Sequence, residues 1–227
     1  APMSAANAKQ SIAYFTKAIT EGSAENFGFE KFELRPDNVA YVKIASFYNP
    51  ALATTAVTAT MSRLANAAAL VIDLRGNGGG SPQTAALVSA YLFDDKPVHL
   101  SDSVTRGWNR REASWTVPPP SDHRYGSKKP VFIVIDKDTY SAAEYFAYTL
   151  QALKRATIVG EPSKGGAHGS RSFRLDADFL VMIPNRLTVS PVTGKDWDKT
   201  GVVPDVVAAP DKALERAMSL AAAAAKG

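Results

Sequence analysis

The chain has 227 residues, enough for one large domain or a domain with a small appendage. Hydrophobic residues make up 45% and charged residues 21%, the balance of an ordinary globular protein; the formal charge of +4 is scattered, so no nucleic-acid partner is implied. The absence of cysteine removes disulfides, thiolate metal sites and a cysteine nucleophile together, and no apolar run approaches the roughly 20 residues that span a bilayer.

Residues 4–21 alternate alanines with Ile12, Tyr14, Phe15, Ala18 and Ile19, which predicts a weakly amphipathic helix. Residues 1–27 are accordingly read as an N-terminal helical segment, the remnant of a longer helical region, and 28–227 as an α/β core. From Asn26 to Glu33 the apolar residues alternate with period two, a strand or hairpin arm, and Pro36-Asp37-Asn38 supplies a turn. Val39–Ile44 is the next strand, 51–66 is helical by composition, and Ala69–Leu74 is a buried strand. The glycine-rich turn Arg75-Gly76-Asn77-Gly78-Gly79-Gly80 leaves that strand, and a helix follows from about Gln83 to Phe93. A dinucleotide fingerprint would occupy the same place, but its third glycine falls on Ser81. The turn is then either a tight strand-to-helix connection or a donor of backbone N–H groups to a developing oxyanion.

From Pro97 to Pro130 no periodicity stands out, and the segment reads as a lid or binding loop. Its Trp108 and Trp115 line a substrate path or cover a core edge. Val131–Ile135 is a short continuous apolar run, a strand covered on both faces. After it, Ala143, Phe146, Ala147, Leu150 and Leu153 recur at helical spacing, so a helix starts at or beside Ser141. A serine at that joint is either an N-cap or a nucleophile set beside unpaired N–H groups. Ala156–Val159 is a further strand, followed by a second glycine-rich loop from Gly160 to Gly169. Ser172–Leu175 and Phe179–Ile183 predict a hairpin, Leu187–Ser190 a further strand, and an alanine-rich helix from Pro210 ends the chain. Strand, helix, strand in repeated order argues for βαβ units with parallel pairing.

Taken in order, Val71-Ile72-Asp73-Leu74-Arg75-Gly76-Asn77-Gly78-Gly79-Gly80, Tyr140-Ser141-Ala142-Ala143-Glu144, Ile158-Val159-Gly160-Glu161 and Gly201-Val202-Val203-Pro204-Asp205 resemble the C-terminal processing peptidase family. That family includes the tricorn protease core and the repeats of interphotoreceptor retinoid-binding protein. Arg124–Lys129, the Gly165-Gly166-Ala167-His168 loop and Trp197–Gly201 look closest to the retinoid-binding-protein branch, although in those repeats the peptidase serine is not kept. The resemblance implies a crotonase-like (ClpP/crotonase) α/β core of repeated βαβ units with a mixed sheet. It makes Ser141 the nucleophile, with an oxyanion hole from the N–H groups of Gly78, Gly79 and Ala142.

Many family members carry a lysine base in a Phe-Gly-Lys-Gly loop after the Gly-Glu pair, but here Gly166 occupies that slot, with Lys164 and His168 two residues to either side. His168 is the better base of the two, because imidazole is partly neutral near pH 7 without special desolvation. Its other reading is a surface residue. Tricorn-like members take their histidine from a helical region upstream of the core; the preferred explanation is that this chain is the C-terminal part of a longer protein, and that a missing N-terminal segment supplies a catalytic histidine. Asp198 stands where a glutamate assists that histidine, so it either orients an imidazole or is a solvated loop carboxylate.

The expectation is therefore a serine endopeptidase core acting on a peptide or unfolded protein, which is added as a strand along an exposed sheet edge. No metal or organic cofactor is needed. A catalytically incomplete binding module for a hydrophobic ligand or peptide is the alternative. An acyl-CoA enzyme of the crotonase type would share the oxyanion hole but has no use for a serine nucleophile. A periplasmic or secreted location is implied by the resemblance alone.

Overall fold

The computed structural model describes residues 19–226 apart from 21, 108, 109, 120 and 177. Most of the expected 4–21 helix, and Trp108, lie outside these residues; 19–20 and 22–24 are helical. A 3₁₀ turn at Asn26–Gly28 opens into β1 (Phe29–Leu34), which pairs antiparallel with β2 (Val39–Ile44). Helix α1 (Pro50–Leu64) starts where the sequence punctuates it, with Asn49 Oδ1 accepting the Ala51 N–H at 2.9 Å and proline in the first turn. β3 (Ala69–Asp73) runs parallel to β2, and α2 (Pro82–Ala90) is capped in the same manner by Ser81. β6 (Val131–Ile135), α3 (Ala142–Ala152), β7 (Thr157–Gly160), β10 (Val206–Val207) and α4 (Ala213–Ala224) complete a six-stranded sheet of order β1-β2-β3-β6-β7-β10, parallel except for β1.

The continuous apolar runs follow from burial on both faces. Leu70 and Ile72 of β3 and Val131, Ile133 and Ile135 of β6 pack in the layer formed with α1, α2 and α3. Their neighbours Ala69, Val71, Phe132 and Val134 pack on the opposite face against Ala213, Ala217 and Ala221 of α4. Small residues on α4 let it lie close to the sheet.

The segment read as a lid is instead part of a second sheet. β4 (His99–Thr105) and β5 (Arg110–Trp115) form a hairpin, and β4 pairs antiparallel with β9 (Leu180–Val189), which pairs with β8 (Gly169–Arg174), in the order β5-β4-β9-β8. Ser101 and Ser103 of β4 are buried, and Ser101, Ser103, Glu112, Ser114 and Thr188 of β4, β5 and β9 line a cavity, so a polar sequence hides a buried sheet face. Trp115 stacks on His99 with ring centroids 4.5 Å apart and does not line that cavity. The expected hairpin across 176–178 is present, but 187–189 continue β9 rather than adding a strand.

The end of β3 carries a buried ion pair. Asp73 accepts from Arg75 Nη2 at 2.7 Å and Nε at 2.9 Å and from the Tyr41 hydroxyl at 3.0 Å, with Lys43 Nζ at 3.7 Å. Burial pushes its carboxyl up, but the Arg75 hydrogen bonds and the Lys43 charge outweigh burial and hold it below the ordinary value. Burial, reinforced by the Asp73 charge, pushes the Tyr41 phenol up. A depressed carboxyl stabilises the fold above its unfolded value of about 4 and loses that contribution as pH falls through the lower native value. Asp73→Asn is expected to lose about 2–3 kcal/mol at pH 7 in urea unfolding and to lose less than the wild type on going to pH 3. Equal loss in both proteins would refute this role.

Candidate active site

Three loops meet at the carboxyl ends of the adjacent parallel strands β3, β6 and β7, the position where open α/β sheets bind ligands. The 76–80 turn leaves β3, Ser141 follows β6, and the 161–168 loop follows β7. Ser141 has φ +53° and ψ −116°, whereas an N-cap serine is ordinarily extended, so its backbone is strained. Its neighbours over-determine that conformation. The Tyr140 N–H donates to Asn77 O at 2.9 Å, the Lys164 N–H to Thr139 O at 3.1 Å, and the Ser141 N–H to Glu144 Oε2 at 2.8 Å.

Glu144 is fully buried and holds the site together. Besides the Ser141 N–H, its carboxylate accepts from Ser163 Oγ and the Gly165 N–H, each at 2.6 Å, and from the Gly166 N–H at 2.9 Å. Ser163 Oγ in turn accepts the Val202 N–H at 2.7 Å. One carboxylate thus ties the loop after β7 to the start of α3. No role was read for it from the sequence, although the Ser-x-x-Glu spacing of a capping box was present at Ser141.

Gly79 lets the first glycine-rich turn approach the serine. A Cβ there would stand 2.8 Å from Ser141 Cβ and 2.9 Å from the Ala142 nitrogen. Its N–H, expected to face an oxyanion, donates to Asn77 Oδ1 at 2.8 Å instead, because Asn77 is buried and pinned by its own Nδ2 to Ile44 O. Ala142 stands at the first position of α3, where helical N–H groups have no intrahelical acceptor.

Ser141, Ala142, Gly80, Gly166, Ala167 and His168 line a common cavity of about 640 Å³, walled on its far side by the four-stranded sheet. His168 Nε2 lies 3.3 Å from Asp196 Oδ2 and its Nδ1 3.8 Å from Asp198 Oδ2; Asp198 Oδ1 also accepts the Ala167 N–H at 3.4 Å. Ser141 and His168 thus line one cavity, with Asp196 and Asp198 beside the imidazole, while the Lys164 ammonium lies 5.1 Å from the centre of the Tyr140 ring. At Gly166 a Cβ would stand 2.1 Å from Tyr140 Cε2, so the slot where family members carry lysine is filled by the tyrosine ring. The wall residues Arg186 and Trp197 were not foreseen as part of a site, and no local pattern marks them.

A strained serine at a strand-to-helix joint, backed by helix N–H groups and a turn of glycines, defines a site for serine acyl-transfer chemistry in an α/β fold. Residues 38–208 match peptidase family S41. The chain belongs to that family and contains its serine-peptidase domain. It is 32% identical over 200 residues to the tail-specific protease of Haemophilus influenzae, covering 84% of this chain and 27% of that protein. To carboxyl-terminal-processing peptidase 2, chloroplastic, of Arabidopsis thaliana it is 29% identical over 169 residues, 74% of this chain and 31% of that one. The solved photosystem II D1 C-terminal processing protease superposes with a TM-score of 0.63 at 25% identity, over 83% of this chain and 49% of that one. The chain therefore spans about a third of the length of the two relatives.

Proposed function

We propose that the whole protein hydrolyses peptide bonds by acyl transfer to Ser141. The observation that carries this reading is the strained Ser141 held between the Gly79 turn and the Glu144-anchored loop, opening on the cavity. Ser141 Oγ attacks the scissile carbonyl carbon as its proton passes to the base, and the N–H groups of Gly78 and Ala142 receive the oxyanion. The base returns the proton to the leaving amine. Water then attacks the acyl-enzyme by the same route, giving its proton to the base, which passes it to Ser141 Oγ.

Within this chain His168 is the base, oriented by Asp198. For that step Nε2 has to exchange Asp196 for the serine hydroxyl, a reorientation open to a partly exposed side chain. A histidine supplied by an upstream segment is the second reading, favoured by the fraction of its relatives that the chain spans. The lysine route has no support, since Tyr140 fills the slot. A polypeptide substrate and an extracytoplasmic, periplasmic or secreted, location belong to the same proposal. The substrate would pair with β8, the open edge strand whose first residues, Gly169 and Ser170, line the cavity.

Intact-mass detection of fluorophosphonate labelling tests this reading. Labelling of the wild type that disappears in Ser141→Ala is expected, and its loss in His168→Ala assigns the base. Labelling that survives in His168→Ala and needs the longer parent protein assigns the base upstream. Silence of the longer parent as well overturns the peptidase reading.

A further inference from the structure

A second cavity, of about 410 Å³, lies at the end of the six-stranded sheet away from Ser141. It is lined by Val131 and Phe132 at the amino end of β6 and by Thr157 at the amino end of β7, and α3 reaches it with Gln151 of its last turn. Ser141 stands at the opposite end of that helix, roughly 15 Å away at 1.5 Å per residue. Four cations converge on the cavity from two separate segments: Lys128 and Lys129 come from the stretch before β6, and Lys154 and Arg155 from the turn after α3. Basic residues beyond a helix end are ordinary partners of its carbonyls, which accounts for Lys154. It does not account for lysines brought from another segment to the same opening.

Arg155 is the fixed point of the cluster. It is nine-tenths buried, and its Nε and Nη2 donate to Leu92 O and Gly126 O at 2.5 and 2.7 Å. These two bonds set the plane of the guanidinium and leave Nη1 without an acceptor, although Nη1 is not sealed from solvent. Lys129 donates to Ala65 O, and its ammonium lies 4.2 Å from the centre of the Tyr125 ring, which Arg155 also approaches at 5.8 Å. Burial, reinforced by the Arg155 charge, holds the Lys129 ammonium below its usual value. Two like charges thus share one poorly solvated corner, a cost that a bound anion relieves. Among the described residues Asp205 is the one carboxylate that lines the cavity. Its Oδ1 accepts from Gln151 Nε2 at 2.9 Å and its Oδ2 from the Ile158 N–H at 2.7 Å. Asp94, outside the lining, is engaged by the N–H and hydroxyl of Ser127. Four cations against one committed carboxylate leave a surplus larger than a single carboxylate ligand meets, whereas a phosphate group brings up to two charges and three acceptor oxygens.

We propose that this cavity binds a phosphate group, with Arg155 Nη1 as its fixed donor and the exposed Lys128 and Lys154 as flexible counter-charges that close on it. The phosphate belongs either to a free soluble anion or to a lipid headgroup, since the recognising chemistry is the same. The site stands apart from the nucleophile and does not depend on the peptidase reading.

Isothermal titration of the wild-type chain with sodium pyrophosphate is expected to give saturable binding, and urea unfolding in the same anion a midpoint that rises with its concentration. Lys128→Gln combined with Lys154→Gln, two exposed changes that leave the packing alone, should weaken binding roughly 10- to 100-fold, the scale of charge-assisted hydrogen bonds. Lys212→Gln, beside the start of α4 at the carboxyl end of the sheet, should leave it unchanged. Co-sedimentation with vesicles of phosphatidylcholine and phosphatidylglycerol, with pure phosphatidylcholine as the blank, separates the two sources. Vesicle binding that the double change abolishes assigns a headgroup, and pyrophosphate binding without vesicle binding assigns a soluble anion. Binding of neither probe beyond what sodium chloride gives at equal ionic strength, or binding that survives the double change, overturns the proposal. Fluorophosphonate labelling of Ser141 is read separately and should be the same in the double variant as in the wild type, so failure of the anion site leaves the peptidase reading standing.

Discussion

Glu144→Ala is expected to destabilise the fold by about 3–5 kcal/mol and to abolish labelling of Ser141, a larger effect than any other single truncation around the site. The carboxylate is fully buried and collects the Ser141, Gly165 and Gly166 N–H groups and the Ser163 hydroxyl. Truncation leaves all of these donors without their acceptor in a place water does not reach, and each stranded donor costs about 1–3 kcal/mol before relaxation. Relaxation has a cost of its own, because the 163–166 loop is free to leave α3 only by carrying His168 with it. Glu144→Gln separates the two consequences. The amide keeps the shape and one acceptor oxygen, but turns an NH₂ toward a pair of N–H donors. It is expected to retain most of the cooperative unfolding transition while slowing labelling by about 10²-fold, the scale of a small misplacement of a nucleophile. Urea unfolding and labelling rates, measured on both variants, decide the matter. A Glu144→Ala protein with wild-type stability, or a Glu144→Gln protein with a wild-type labelling rate, would show that the carboxylate does not hold the serine.

How much of this was legible in the sequence depends on where each residue's partners lie along the chain. β2, β3 and β6 were plain because both faces of a central parallel strand are buried, which makes the run itself apolar. β4 and β5 were not, because their inner face carries serines that a cavity accepts and that alternation of apolar residues cannot reveal. β9 read as two pieces because Pro184 interrupts it. The pairing shifts at Gly169 and Ser170 beside that proline, and so the strand passes through. At the site, Ser141 was visible as a joint between a strand and a helix, and the loop bearing His168 as a glycine cluster. Glu144 received no role, although its Ser-x-x-Glu spacing could have marked it as a cap; its other donors lie 19 to 22 residues away. The Gly79 N–H is held by the buried Asn77 side chain, a pairing that composition cannot place. Arg186 and Trp197 come to line the serine's cavity only through the pairing of the second sheet and the 193–198 loop, so spacing carried no trace of them.

The second large effect is expected at Gly166, the position where family members place their lysine. Gly166→Lys is expected to lower the labelling rate by about 10²-fold rather than to create a lysine-driven enzyme, and to cost about 1–3 kcal/mol of stability. The collision is with Tyr140: a Cβ at Gly166 meets the ring at Cε2, Cζ and the hydroxyl at 2.1, 2.5 and 2.7 Å. The ring is partly exposed and has room to swing out, which keeps the stability cost moderate. Its departure also removes the contact with the Lys164 ammonium, a cation–π interaction of roughly 0.5–1 kcal/mol at an exposed site. The rate suffers more, because Tyr140 is bonded directly to Ser141 and its own N–H is tied to Asn77. Moving the ring pulls on the strained residue. If the glycine and the tyrosine are a matched pair, removing the ring should relieve the clash. Tyr140→Ala combined with Gly166→Ala should then be more stable than the sum of the single changes by about 1–2 kcal/mol, within the range of coupled neighbours. A double-mutant cycle in urea, with labelling rates alongside, reads both quantities. Additive single changes, or a Gly166→Lys protein that labels faster than wild type, would mean that the tyrosine does not occupy the lysine's place.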